Sequence, residues 1–303
     1  MKSGHMLSTD MARILKVQTS AIHALTDFLY KEGVTQLMPV MLSPETDPLC
    51  HSTYGAEIGY LGQQLHLTKS MILHKQIALM LEPVSKIFIM SPNIRLEKTE
   101  CMETGRHLIE FTQLDIEFRD CTKQDFMLFT EKMVSYAIGR VKQECGKELE
   151  ALGREIEVPS IPFKVYDSAD FQGSDRETEA KLSADAKEPF WILNHKREFY
   201  DREDKARKGY YHNYDLVWPE AYGEALSGGE REYEYSEIER KMKERGMEPE
   251  TFAAYLDFAR KRMLRPSAGG GIGIERFVRY LCGKKDIAEI SPFPRKAGAR
   301  VIF

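Results

Sequence analysis

Four short segments have residue types and spacing that could do chemistry. In NIRLE (93–97), Arg95 and Glu97 stand two apart, so an extended chain puts them on one face. In RHLIEFTQLDIEF (106–118) the matching alternating set is His107, Ile109, Phe111, Gln113 and Asp115. A guanidinium for phosphate, an aromatic face for a base and carboxylates for an amine form an inventory suited to ATP and an amine-bearing partner. The competing account is an exposed strand pair laced with cross-strand ion pairs. Further on, YGEALSGGERE (222–232) holds Glu224 and Ser227, hard oxygen donors of the kind Mg²⁺ accepts, and Arg231, whose planar fork suits a carboxylate. Taken alone, that segment also reads as a turn with a solvated salt bridge. Near the end, AGGGIGIERF (268–277) sets four glycines within five positions before Glu275, Arg276 and an amphipathic pattern. It is neither the G-x-G-x-x-G of a dinucleotide fold nor a P-loop. It predicts a strand running straight into a helix, with Arg276 delivered at the junction.

The elements that must position these residues follow from periodicity. Ile14, Val17, Ala21, Leu25 and Phe28 recur at helical spacing between Ser8 and Glu32, and Gly33 stands where a helix commonly ends. Val34 to Leu42 reads as a strand, and Pro39 inside it suits an edge or an interface. Ser43 to Gln64 reads as a loop lying over something. SMILHKQIALML (70–81) predicts a helix; KIFIMSPNIRLE (86–97) and RHLIEFTQLDIEF predict an antiparallel strand pair separated by a polar loop from Lys98 to Gly105. A helix from about Lys123 to Leu152, strands near Phe190–Asn194, Tyr214–Trp218 and Tyr222–Leu226, and one charged helix from Glu237 to Arg262 complete the order. This predicts an α+β fold, a largely antiparallel sheet with helices against it, in one domain spanning residues 7–303. No internal repeat interrupts it.

Composition narrows the function classes. The 303 residues are 42% hydrophobic, enough for a substantial core, and no run approaches the roughly 20 apolar residues of a membrane span. The N-terminus lacks a signal or transit pattern, so the expectation is a cytoplasmic protein with no membrane partner. Residues 1–6, MKSGHM, resemble a vector remnant. The five cysteines are scattered without C-x-x-C, which predicts reduced thiols. His5, His51 and His212 have no metal-like spacing and are expected at the surface. A formal charge of −4 gives no general attraction to polyanions.

Together IRLE, RHLIEFTQLD, GEALSGGER and GGGIGIERF, in that order and behind Pro39, resemble the catalytic core of class II aminoacyl-tRNA synthetases of the aspartyl and asparaginyl subgroup. The resemblance runs from the first helix to the terminal SPFPR (291–295). It implies a homodimer joined around Pro39. It also implies an ATP site in which Arg95 contacts the α-phosphate, Glu97 the adenine end and His107 the distal phosphates. Phe111 would stack on adenine opposite Arg276, Arg276 would hold the γ-phosphate beside glycines that let ATP lie close, and Glu224 and Ser227 would hold Mg²⁺. For the amino acid it implies Asp115 at the amino group, Arg231 at a carboxylate and Lys75 as the cation distinguishing aspartate from asparagine, with Ser70 nearby. On this reading Arg95, Arg276 and Lys75 carry the catalysis. A second cation rewards a carboxylate and leaves an amide under-compensated, a discrimination of roughly 1–3 kcal/mol.

No anticodon-binding OB fold is expected ahead of the first helix. The motifs MLSP, SMILHKQ, SPNIRLE and GGERE resemble the stand-alone archaeal-type asparagine synthetase-related proteins. That likeness implies an AMP-forming aspartate-ammonia ligase with aspartate, ATP and free ammonia as partners and tRNA not expected. The alternatives are a trimmed synthetase charging tRNA, or a ligase joining aspartate to another amine. Asparagine synthesis needs the side-chain carboxylate activated. Ile72, where the synthetases place a glutamine, and the 43–64 segment are expected to let aspartate turn, so that Arg231 and Lys75 grip its α-carboxylate.

Overall fold

The computed structural model describes residues 8–171, 175–195 and 198–301; the expected vector remnant at 1–6, His5 included, lies outside them. Helix α1 (Thr9–Lys31) opens at Ser8, whose hydroxyl accepts from the Met11 amide, and closes before Gly33, which takes a φ of +69°. Its buried stripe holds four of the five residues expected, Ile14, Val17, Ala21 and Leu25, while Phe28 is only partly buried against the same core. The expected strand at Val34–Leu42 is reduced to β1 (Thr35–Gln36) and β2 (Leu42–Ser43). Pro39, between them, has no amide to give a ladder. The expected loop from Ser43 to Gln64 instead holds β3 (Thr53–Tyr54), β4 (Glu57–Tyr60) and the start of β5 (Gln63–Leu67). β4 and β5 form a hairpin turning at Leu61-Gly62, both at positive φ, and its mostly exposed residues leave no burial pattern in the sequence to find.

After α2 (Ile72–Ala78), β6 (Lys86–Ile94) pairs antiparallel with β8 (Glu110–Arg119) from Lys86↔Phe118 to Ile94↔Glu110, as expected. Between them β7 (Leu96–Glu97) leaves the main sheet to pair with β3. The long helix divides at Cys145 into α3 (Lys123–Glu144) and α4 (Gly146–Ala151). β9 (Lys164–Asp167) and α5 (Asp175–Asp185) come next, neither legible in a charged connector, then β10 (Phe190–Leu193), β11 (Asn213–Trp218) and β12 (Gly223–Glu230). The single charged helix expected over 237–262 is two, α6 (Tyr235–Glu244) and α7 (Ala253–Arg260), parted by Gly246 at φ +64° and a 3₁₀ turn at Pro249. β13 (Ser267–Gly273) passes directly into α8 (Ile274–Leu281).

Among the described residues the main sheet has eight strands in the order β1-β6-β8-β13-β12-β11-β10-β9. Its interior is antiparallel; β1 with β6 and β9 with β10 are the parallel edge pairs. One face of β8, through Leu114, Ile116 and Phe118, joins α1, α3 and α8 in the principal core. The opposite face therefore carries Gln113, Asp115 and Glu117. A smaller cluster of Ile72, Leu73, Phe199, Ile238, Tyr255 and Leu256 supports α2, α6 and α7 at that face's far end.

The glycine strand at the centre does more than admit a ligand. A Cβ on Gly269 would lie 2.3 Å from the Ile116 carbonyl and 2.0 Å from Glu117 Oε2, and one on Gly270 would lie 2.8 Å from Leu226. Those two glycines make room for neighbouring strands and their side chains, whereas Gly271 and Gly273 line the cleft described next.

Candidate active site

A cleft of about 790 Å³ opens over the polar face of β8 and β13, and all eleven residues expected at the site line it: Ser70, Lys75, Arg95, Glu97, His107, Phe111, Asp115, Glu224, Ser227, Arg231 and Arg276. β8 orders them. Phe111, Gln113, Asp115 and Glu117 succeed one another at about 7 Å intervals on one face, so an aromatic end and an acidic end are joined by a single strand.

At the aromatic end the Arg95 guanidinium lies over the Phe111 ring, 5.1 Å from its centroid, and is anchored by Nε donating to the Lys69 carbonyl at 2.9 Å. Glu97, carried aside by β7, meets His51 Nε2 at 2.9 Å. Burial is the largest single influence and opposes the charge of Glu97, but the His51 bond and the surrounding positive charge, Arg95 included, together outweigh it and hold the carboxyl below its ordinary value. His51 itself is raised to about 9 through its hydrogen bonds to Cys50 and then Glu97. It is exposed, as expected, and also lines the cleft. Arg276 stands at the strand-to-helix junction, where Nη1 donates to Glu224 at 3.1 Å and Nε to the Arg106 carbonyl at 3.3 Å. Arg106 pairs with Glu179 of α5 at 2.8 Å. His107, bonded through Nδ1 to Thr104 Oγ1 at 2.6 Å, is driven down to about 3 by burial and then by Arg276 and Arg106, so its ring is neutral. Behind these, both Glu275 oxygens accept from the Thr112 amide at 2.9 and 3.0 Å, tying the start of α8 to the start of β8. Burial raises the Glu275 carboxyl to about 7.

Glu224 and Ser227 lie three apart, a spacing that would separate them in a regular strand. The register with β11 shifts between Leu216 and Val217, a bulge that lets both reach the same cleft.

The acidic end is a buried ion network. Lys75, from α2, donates to Asp115 Oδ1 at 2.9 Å and lies 3.5 Å from Glu117 Oε2. Arg231 donates from Nε and Nη2 to Glu117 at 3.0 and 3.3 Å, from Nη1 to Asp201 at 3.1 Å and from Nη2 to the Gly269 carbonyl at 3.0 Å. Four of its five N–H groups are thereby used, leaving one on Nη1. Its pKa is raised; burial opposes the charge, and Glu117 and Asp201 outweigh it. Asp115 Oδ2 is buried and has no hydrogen-bond partner among the described residues. A charged oxygen kept dry and unmatched is costly unless a ligand donates to it. Ser70 Oγ accepts from the Ile72 amide at 3.2 Å and shapes the start of α2.

Cations and an aromatic ring towards one end of the cleft and an open carboxylate oxygen at the other are the parts that an amino-acid-activating site requires. A profile of the family described as tRNA synthetases class II (D, K and N) matches residues 3–297. The chain belongs to that family. The asparagine–tRNA ligase of Thermoplasma acidophilum is 27% identical over 311 aligned positions, covering 95% of this chain and 70% of that protein. The asparaginyl-tRNA synthetase of Pyrococcus horikoshii in complex with asparaginyl-adenylate superposes with a TM-score of 0.87 at 24% identity, over 97% of this chain and 71% of that one. The aspartyl-tRNA synthetase of Entamoeba histolytica gives a TM-score of 0.76 at 21% identity, over 96% and 59%.

This class II catalytic fold confirms the expected α+β architecture. The finer likeness to asparagine synthetase-related proteins is not what these relatives are named for. Sequence reasoning missed Glu117, Asp201, Arg106 and His51. Glu117 had a signal, being the next member of the alternating β8 set. Asp201, Arg106 and His51 sit in irregular segments where no period reports orientation.

Proposed function

We propose that the chain activates aspartate with ATP and Mg²⁺, forming aspartyl-adenylate and pyrophosphate. The carrying observation is the buried Lys75–Asp115–Glu117–Arg231 network, in which one remaining N–H on Lys75 and one on Arg231 can both donate to a distal substrate group while Asp115 Oδ2 can accept from the amine. Two cationic donors reward a carboxylate and offer no acceptor for an amide NH₂, which favours aspartate over asparagine. At the other end Arg95 and Arg276 would stabilise charge on the α- and γ-phosphates. Glu97 would take the adenine edge, Phe111 its face and neutral His107 a distal phosphate. The donor set of Glu224 and Ser227 fits Mg²⁺, which prefers hard oxygens and retains waters and phosphate oxygens in its remaining positions. Mg²⁺ would neutralise the pyrophosphate as a substrate carboxylate oxygen displaces it from the α-phosphorus.

The acceptor of the aspartyl group is the second question. The relatives' names favour a tRNA, and the expectation that tRNA plays no part loses its support. Ammonia remains a second reading because of a mismatch: a pocket whose cations favour aspartate stands among relatives named for asparagine. Amide formation on aspartate links the two, the ammonia nitrogen taking the acyl group and AMP leaving. Residues 7–303 are read as one catalytic domain. A homodimer is supported by apolar side chains exposed around Pro39, among them Tyr30, Met38 and Leu42.

The test is aspartate-dependent exchange of pyrophosphate into ATP, compared with asparagine, followed by mass identification of products with ammonium or with tRNA. Exchange driven by asparagine and not by aspartate would overturn the aspartate reading. Aspartyl-tRNA formation without asparagine, or the reverse, decides the acceptor.

A further inference from the structure

Arg279 lies one turn beyond Arg276 on α8 and is only 4% exposed. Among the described residues its hydrogen bonds all go to main-chain carbonyls: Nη1 donates to Gly105 at 2.9 Å and to Lys285 at 3.4 Å, and Nη2 to Tyr222 at 2.6 Å. Its guanidinium also lies 5.2 Å from the centroid of the Tyr222 ring, and its buried Nε has no partner among the described residues. Burial and then the neighbouring charges of Arg276 and Arg106 push its pKa down to about 10, still well into the charged range at neutral pH. Burying a cation beside other cations without a carboxylate partner costs free energy, and a fold that keeps one uses its geometry or its field.

The three carbonyls belong to three segments that converge on one end of the cleft. Gly105, at φ +66° and also accepting from the Ile287 amide, immediately precedes Arg106 and His107. Tyr222 immediately precedes Gly223 and Glu224. Gly223 has φ +73° and lies so near Arg106 that a Cβ there would be 2.6 Å from its Nη1. Lys285 follows α8, which carries Arg276. We propose that Arg279 is a positioning residue for the distal-phosphate half of the nucleotide site, one guanidinium holding these three segments in register while its charge adds to the field there. The inference rests on the ATP reading given above, and it assigns Arg279 no contact with the adenine, which Phe111 and Glu97 would take, or with the α-phosphate that Arg95 would hold.

That division gives the test. ATP and AMP affinities are measured by calorimetry for the wild type, Arg279→Lys and Arg279→Met, with melting temperatures as the folding check. Lysine keeps the charge but cannot span carbonyls on three segments; methionine keeps bulk alone. The expected result is ATP binding weakened roughly 10-fold or more in Arg279→Met and less in Arg279→Lys, with AMP within about 2-fold of wild type in both. Equal weakening of ATP and AMP would show a general packing role and overturn the proposal, as would unchanged ATP binding in Arg279→Met. Should Arg279→Met not fold, the ATP-to-AMP comparison in Arg279→Lys decides in the same way. A wild type that binds AMP and ATP equally, or neither, removes the triphosphate reading itself, an outcome distinct from a failure of the two variants.

Discussion

Single side chains here are held by opposing electrostatic demands, and each demand can be measured. Asp115 keeps one oxygen on Lys75 and leaves the other without a donor. Asp115→Asn retains the shape but not the charge, so aspartate kcat/KM should fall about 10- to 100-fold, the worth of one hydrogen bond to a charged group, while ATP binding holds. Steady-state pyrophosphate exchange at varied aspartate checks this, and an unchanged aspartate KM would contradict the placing of the amine. His107 makes a pH prediction. Unfolded, its imidazole takes a proton near 6.5; folded, it stays neutral down to about 3. Between those values the unfolded state binds more protons, so this group's contribution is present above about 6.5 and is lost as pH falls through the window. Replacing it by asparagine should flatten that part of the stability profile, read as the difference between wild-type and His107→Asn urea unfolding from pH 4 to 7. His51 runs oppositely: raised to about 9, it stabilises fully below about 6.5 and loses that contribution as pH rises towards 9.

At the scale of elements, the site depends on close approach of β8, β13 and β12. Gly269 is the narrowest point, because a Cβ there would collide with a backbone carbonyl and with the Glu117 carboxylate that holds Arg231. Gly269→Ala should cost roughly 3 kcal/mol or more, as overpacking against immovable backbone does, and should weaken aspartate binding along with it. Denaturant unfolding and aspartate titration test both; a variant of wild-type stability would mean the strands are not packed this closely. The glycine-rich stretch was legible as a strand entering a helix, and Arg276 was legible as the residue at the junction. What each glycine accommodates was not, since that depends on which strands lie on either side. The β4–β5 hairpin and α5 escaped for a related reason: their exposed or charged residues carry little periodic burial to betray them.

For the whole molecule, the apolar side chains around Pro39 predict a dimer of about twice 34.9 kDa in light scattering coupled to size-exclusion chromatography, and a monomer there would remove the reading. Replacing Met38, 79% exposed, by aspartate should shift the equilibrium towards monomer. By itself the sequence determined the order of the principal elements, the alternating polar face of β8, the run of glycines into α8 and the residue types of a nucleotide and amino-acid site. Period-two and period-3.6 patterns and glycine's missing Cβ are local properties, readable one segment at a time. Only the tertiary structure decided that Lys75 pairs with Asp115 forty residues on, that Arg231 spends four donors on Glu117, Asp201 and Gly269, and that a bulge turns Glu224 and Ser227 into one cleft. Charges buried in a shared hollow choose partners by distance and desolvation, and neither quantity exists until distant segments have been brought together.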